Sequence, residues 1–175
     1  MSPRVTTART IWAALLISTF LYLFVATRVP RPAQPAQPIL LPVLALVALI
    51  DGLLSVVFPA MQLGRALRAL NLRVDELQDA NAERMFRDLP PTTRAMAEPD
   101  DALRRAWPVY QTWFIIAMAQ AEAVAVFGLV LMILGFPWFP TILFFVLSWG
   151  LMIYQLPSET RLRKAIDRAY GLAAR

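Results

Sequence analysis

Apolar positions in this chain gather into four blocks, separated by stretches where charge and proline dominate. The first covers 11–27. It is long for the core of a secretory signal peptide, and Phe24-Val25-Ala26 puts a bulky residue where a cleavage site takes a small one, so it reads as an uncleaved span. The second covers 39–58, with Pro42 in its first turn, where a missing N–H costs nothing, and Pro59 at its far side, where it ends or kinks the helix. The third covers 109–134. The fourth covers 139–156 and is just long enough to cross a bilayer if Phe136–Phe139 lie in the interface. Trp107, Tyr110 and Trp113 stand near the third block as expected interfacial anchors.

The segments between the blocks have their own patterns. Arg28-Val-Pro-Arg-Pro-Ala-Gln-Pro-Ala-Gln-Pro38 is too proline-rich for helix or sheet and reads as an extended, polyproline-like link. After the second block, Leu63, Leu67, Leu70, Val74, Leu77 and Asn81 recur at alternating spacings of four and three, among Arg65, Arg68, Arg73, Asp75, Glu76 and Asp79. This predicts an amphipathic helix over 63–81, separate from the second span or continuous with it, lying against the membrane or bundle or serving as a dimerisation or partner helix; under three repeats is too short for a coiled coil. Residues 89–101 read as a loop ending in Asp100 and Asp101, which suit a helix start better than a metal site. Ser158 is an expected N-cap, after which Leu162, Ile166 and Tyr170 share one face of a short helix bearing Arg161, Arg163, Lys164 and Arg168. The expected fold is all-α: one membrane domain over 1–175 with four transmembrane helices. An amphipathic cytosolic helix lies between spans 2 and 3 within 62–106, and a short basic helix in the tail 157–175.

Composition agrees: 58% of the 175 residues are hydrophobic and the mean hydropathy is +0.55, against about 45–50% apolar in soluble domains. The absence of Cys and His removes disulfides, thiolate chemistry, the usual zinc ligands and imidazole bases together. No cofactor, metal or enzyme activity is expected, because Asp51 lacks the motif context of an intramembrane aspartyl protease. The net charge of +5 fits topology and anionic lipid better than nucleic acid. Fifteen of the 17 basic residues fall in the amino end, 62–106 and the tail, and two in the Pro-rich link. With an even number of spans, this puts both termini and 62–106 in the cytosol. The Arg-heavy, Lys-poor, Ala-rich usage is compatible with a GC-rich bacterium, hence an inner membrane.

Two carboxylates interrupt the blocks. Asp51 is the thirteenth residue from Ile39 and Glu122 the fourteenth from Val109; at about 1.5 Å per residue both lie roughly 18–20 Å from their own end, near mid-depth. An ionised carboxylate there costs about 2.5–3.5 kcal/mol, and neutralising a glutamate of ordinary pKa at neutral pH costs about 3.7. The costs are comparable, so two roles stand: a helix-packing carboxyl, or an ion- or proton-binding one. Ala117, Ala121 and Ala125, followed by Gly128, give the third span a small-residue stripe for close packing, which Glu122 borders. Gln120, roughly 160° from Glu122 around the helix, belongs to a different face.

Glu122-Ala-Val-Ala-Val-Phe-Gly-Leu-Val130 resembles the carboxylate helix of the proteolipid (c-type) subunits of rotary ATPases, with Glu122 on the carboxylate, Phe127 on an aromatic position usually Tyr, and Gly128 on the glycine. The resemblance implies a proton- or sodium-carrying glutamate. It covers about a dozen residues, and that family's Gly-rich partner helix and Arg-Gln-Pro loop have no counterpart; similar helices also occur in small bacterial membrane proteins. The function expected is a structural, interaction or accessory subunit packed through its third span. Its partners would be the bilayer and a second copy or another membrane protein. The alternative is a proton- or sodium-binding transport component using Glu122 and Asp51.

Overall fold

The computed structural model describes residues 3–30, 32, 37–78 and 92–172. Five helices account for most of them: α1 Pro3–Arg28, α2 Leu40–Ala69, α3 Pro99–Ile133, α4 Trp138–Tyr154 and α5 Glu159–Tyr170. Between α2 and α3 lie two short antiparallel strands, β1 Val74–Gln78 and β2 Thr92–Met96, paired from Val74 with Met96 to Gln78 with Thr92. α1, α2 and α3 are each long and apolar enough to cross a membrane; a fourth crossing is counted only if α4 and α5 are taken together as one broken span. α4 alone has 17 residues, about 26 Å at 1.5 Å per residue.

The chain divides into two compact units. The first, 1–60 with 113–157, contains the apolar lengths of α1 to α4. Here α3 and α4 form a hairpin. α3 ends in a Schellman turn: Gly135, at φ 85°, donates its N–H to the Met132 carbonyl, and Phe136 donates to Leu131. α1 meets the hairpin through Ala26, Ala125, Met132 and Phe145. α2 meets it through Ala48, Val124, Leu131 and Phe144. The outward surfaces stay apolar, with Ile17, Leu21 and Phe24 of α1 and Leu46, Leu49 and Leu53 of α2 exposed. A belt of this kind suits lipid rather than water.

Several polar groups inside this unit find partners across helices. Trp12 donates its indole N–H to the Met152 carbonyl at 2.9 Å, Trp149 to the Thr19 hydroxyl at 2.8 Å, and Ser148 to the Ala121 carbonyl at 2.7 Å. Such bonds hold membrane helices together where apolar burial supplies no driving force. The Trp149 ring also stacks on Phe20 at 4.5 Å.

In the second unit, 61–112 with 158–175, Leu67, Ala106, Trp107, Leu162 and Ile166 are buried. Trp107 and Tyr110, expected at an interface, are buried here with ring centroids 5.5 Å apart, while Trp113 instead makes an edge contact with Phe58 in the first unit. Ser158 caps α5 by accepting from the Arg161 N–H. Asp100 and Asp101 occupy the first turn of α3, with Asp101 paired to Arg105 at 2.7 Å.

The amphipathic helix expected over 63–81 is corrected. α2 runs through Pro59 and carries that face only to Ala69. Asn71 then adopts a left-handed conformation, φ 46°, which ends the helix, and Val74–Gln78 is a strand. Asp79 and Asn81, and the expected loop up to residue 91, lie outside the described residues. The Tyr170 hydroxyl consolidates this end, donating to the Leu67 carbonyl at 2.8 Å and accepting from the Leu72 N–H at 3.0 Å. Tyr170→Phe is expected to cost about 1–2 kcal/mol and to raise hydrogen exchange at the Leu72 amide; unchanged exchange there would show that the hydroxyl does not hold this corner.

Candidate functional site

Glu122 sits mid-way along the apolar length of α3, on the side facing α1. Its Oε1 lies 2.6 Å from the Ser18 hydroxyl and 2.8 Å from the Tyr22 hydroxyl. Ser18 and Tyr22 are four apart, so one face of α1 presents both to one oxygen. Ser18 Oγ is also 2.7 Å from the Leu15 carbonyl, yet a serine hydroxyl has one hydrogen. The cluster therefore has a complete assignment for either state of the carboxyl. When Glu122 is ionised, Ser18 and Tyr22 both donate to Oε1. When it is protonated, the carboxyl donates to Ser18, Ser18 donates to Leu15, and Tyr22 still donates to Oε1.

The small residues of α3 pack against α4 at Gly128, Phe144 and Phe145. Ala117, Ala121 and Ala125 are buried, and the Ala121 carbonyl accepts the Ser148 hydroxyl. At Gly128 an added Cβ would stand 2.8 Å from Phe145 Cε2 and 3.0 Å from Phe144 Cβ. The absent side chain is what lets α4 come so close.

Asp51 is not joined to Glu122. It lies half-buried on α2 and makes no hydrogen bond or ion pair among the described residues. Gln120 is also apart from Glu122; its Oε1 is buried without a hydrogen-bond partner. Of the three polar residues marked in the sequence, Glu122 alone is held by hydrogen bonds to α1. Ser18 and Tyr22 gave no sequence signal beyond their i, i+4 spacing in a span. Among the described residues no group of three acidic side chains could hold a metal ion. Comparison with family profiles, with characterised proteins and with solved structures finds no match to this chain.

Proposed function

We propose that this is a non-enzymatic, multi-pass protein of a bacterial inner membrane. It crosses four times, with both termini and 62–106 in the cytosol, and serves as a structural or accessory subunit packed through α3. The observation that carries this reading is the use of Glu122: its Oε1 is committed to two hydroxyls of α1, in line with the other cross-helix bonds of Trp12, Trp149 and Ser148. A carboxyl so held fastens helices. The apolar outward belt supports the bilayer as its solvent, and a second copy or another membrane protein as its partner.

The second reading, a proton- or sodium-handling carboxylate, is favoured by the two complete hydrogen assignments of the Glu122–Ser18–Tyr22 cluster. The two separate on substitution. For a fastening role, Glu122→Gln keeps an acceptor for both hydroxyls and leaves thermal stability in membranes nearly unchanged. Glu122→Leu strands Tyr22 and costs about 1–3 kcal/mol, at roughly 0.6–1.7 per bond in a bilayer. Carbodiimide labelling gives the other arm. A Glu122 that resists modification at every pH supports fastening. Labelling that fades as pH rises or as sodium is added would replace it with the transport reading.

A further inference from the structure

The first unit holds an excess of hydrogen-bond acceptors on the α2 side of the α3–α4 hairpin. Gln155, at the end of α4, is 8% exposed. Its Nε2 lies 3.4 Å from both the Ser55 carbonyl and the Ser55 hydroxyl. Because the Ser55 carbonyl can only accept, the amide nitrogen must face it, and the amide cannot be turned over to help its oxygen. Gln155 Oε1 is therefore a buried acceptor with no donor. The Ser55 hydrogen is directed to the Gly52 carbonyl at 2.7 Å, which leaves the Ser55 oxygen an acceptor too.

One turn from Ser55 stands Asp51, a carboxylate with no partner among the described residues. Two landmarks bring Gln120 to its level. Ala48 and Val124 share one apolar cluster, and Phe58 meets Trp113 edge-on at 5.8 Å. Counting three residues on from Ala48 gives Asp51, and four back from Val124 gives Gln120. Trp113, Gln120, Val124, Phe127 and Leu131 recur at helical spacing on the stripe of α3 turned to α2. Gln120 Oε1 is the second buried oxygen without a donor.

We infer that Asp51, Gln120, Gln155 and Ser55 form a binding site for a monovalent cation between α2, α3 and α4, distinct from the Glu122 cluster. The chemistry selects the guest. The atoms offered at this site are all oxygens, which suits a hard cation. In a low-dielectric interior the favourable net charge is zero, and one carboxylate balances one positive charge, so a divalent ion is left uncompensated. The inference rests on reading these helices as membrane-embedded, but not on the fastening role of Glu122.

The test uses the full-length protein in nanodiscs of neutral lipid, unfolded thermally in sodium, potassium or choline chloride at equal ionic strength and fixed pH. Choline is the control, a quaternary ammonium whose methyl groups keep its charge away from oxygen ligands. Sodium at about tenfold over its Kd raises the midpoint by about 3–6 °C relative to choline. The rise is lost in Asp51→Asn, reduced in Gln120→Leu and Gln155→Leu, and kept in Glu122→Gln. Absence of a cation-specific rise in the wild-type protein overturns the inference, as does a rise that survives Asp51→Asn. Where Asp51→Asn yields no folded protein, the two glutamine variants decide, and a full sodium rise in both overturns it. A rise lost only in Glu122→Gln would place the ion at the other carboxylate and overturn this assignment while reviving the transport reading.

Discussion

Phe145→Ala is expected to destabilise the membrane unit by about 3 kcal/mol. In soluble cores a buried phenylalanine cut to alanine loses about 3–5 kcal/mol, part from transfer out of water and part from the void left behind. In a bilayer the first part largely vanishes, because the separated helices already sit in hydrocarbon. The void and the lost dispersion contacts remain. Phe145 is fully buried and lies among Ala26 of α1 and Ala125 and Met132 of α3, so its removal opens a space shared by three helices. Unfolding of the purified protein in mixed micelles measures the loss. A change below about 1 kcal/mol would mean that the neighbours close over the gap.

Gly128→Val acts on the same contact from the other side. A Cβ at 2.8 Å from Phe145 Cε2 and 3.0 Å from Phe144 Cβ would stand closer than side-chain carbons normally approach, and valine adds two methyl groups beyond it. Overpacking of this kind costs about 1–3 kcal/mol, occasionally more. Since the clash falls partly on the end of a ring, the two sites are not additive. Gly128→Val in a Phe145→Leu background is expected to cost less than the sum of the separate changes, and strict additivity would show that α4 shifts as a body instead of the ring giving way. Gly128→Ala should show the milder form of the same effect.

The long apolar helices α1, α2 and α3 were legible because a run of apolar residues says directly which solvent it needs. Glu122 was legible for the converse reason: a carboxylate in such a run demands an explanation. Its partners were not. Serine and tyrosine are unremarkable in a membrane helix, and which of them meets Glu122 depends on how α1 is rotated against α3, a property of packing that no local pattern records. The same holds for Gln155, whose significance comes from the oxygen it leaves unpaired. The strand at Val74–Gln78 was hidden differently. The four-three spacing of Leu63, Leu67, Leu70, Val74 and Leu77 continues through a point where the backbone changes state, and only Asn71 marked the place, as a residue that tolerates a left-handed conformation at a helix end. The start of α3 was legible in Asp100 and Asp101; what escaped notice is that this helix runs on through Pro108 into the apolar block, because its first turns are too polar to join that block.

The clasp on Glu122 also sets a timetable. Ser18 and Glu122 are 104 residues apart in the chain, and Thr19 and Trp149 are 130 apart. At ribosomal speeds of about 5–20 residues per second, α1 waits roughly 5–20 seconds between its own synthesis and that of the carboxylate it will hold. Throughout that interval Ser18 and Tyr22 lack their eventual acceptor. The α3–α4 hairpin, by contrast, closes through a turn of a few residues and can fold as it emerges. Biogenesis therefore has a built-in order, with the late hairpin gathering in the early helices. Whatever escorts α1 in the meantime, lipid headgroup or insertion machinery, must release it when Glu122 arrives.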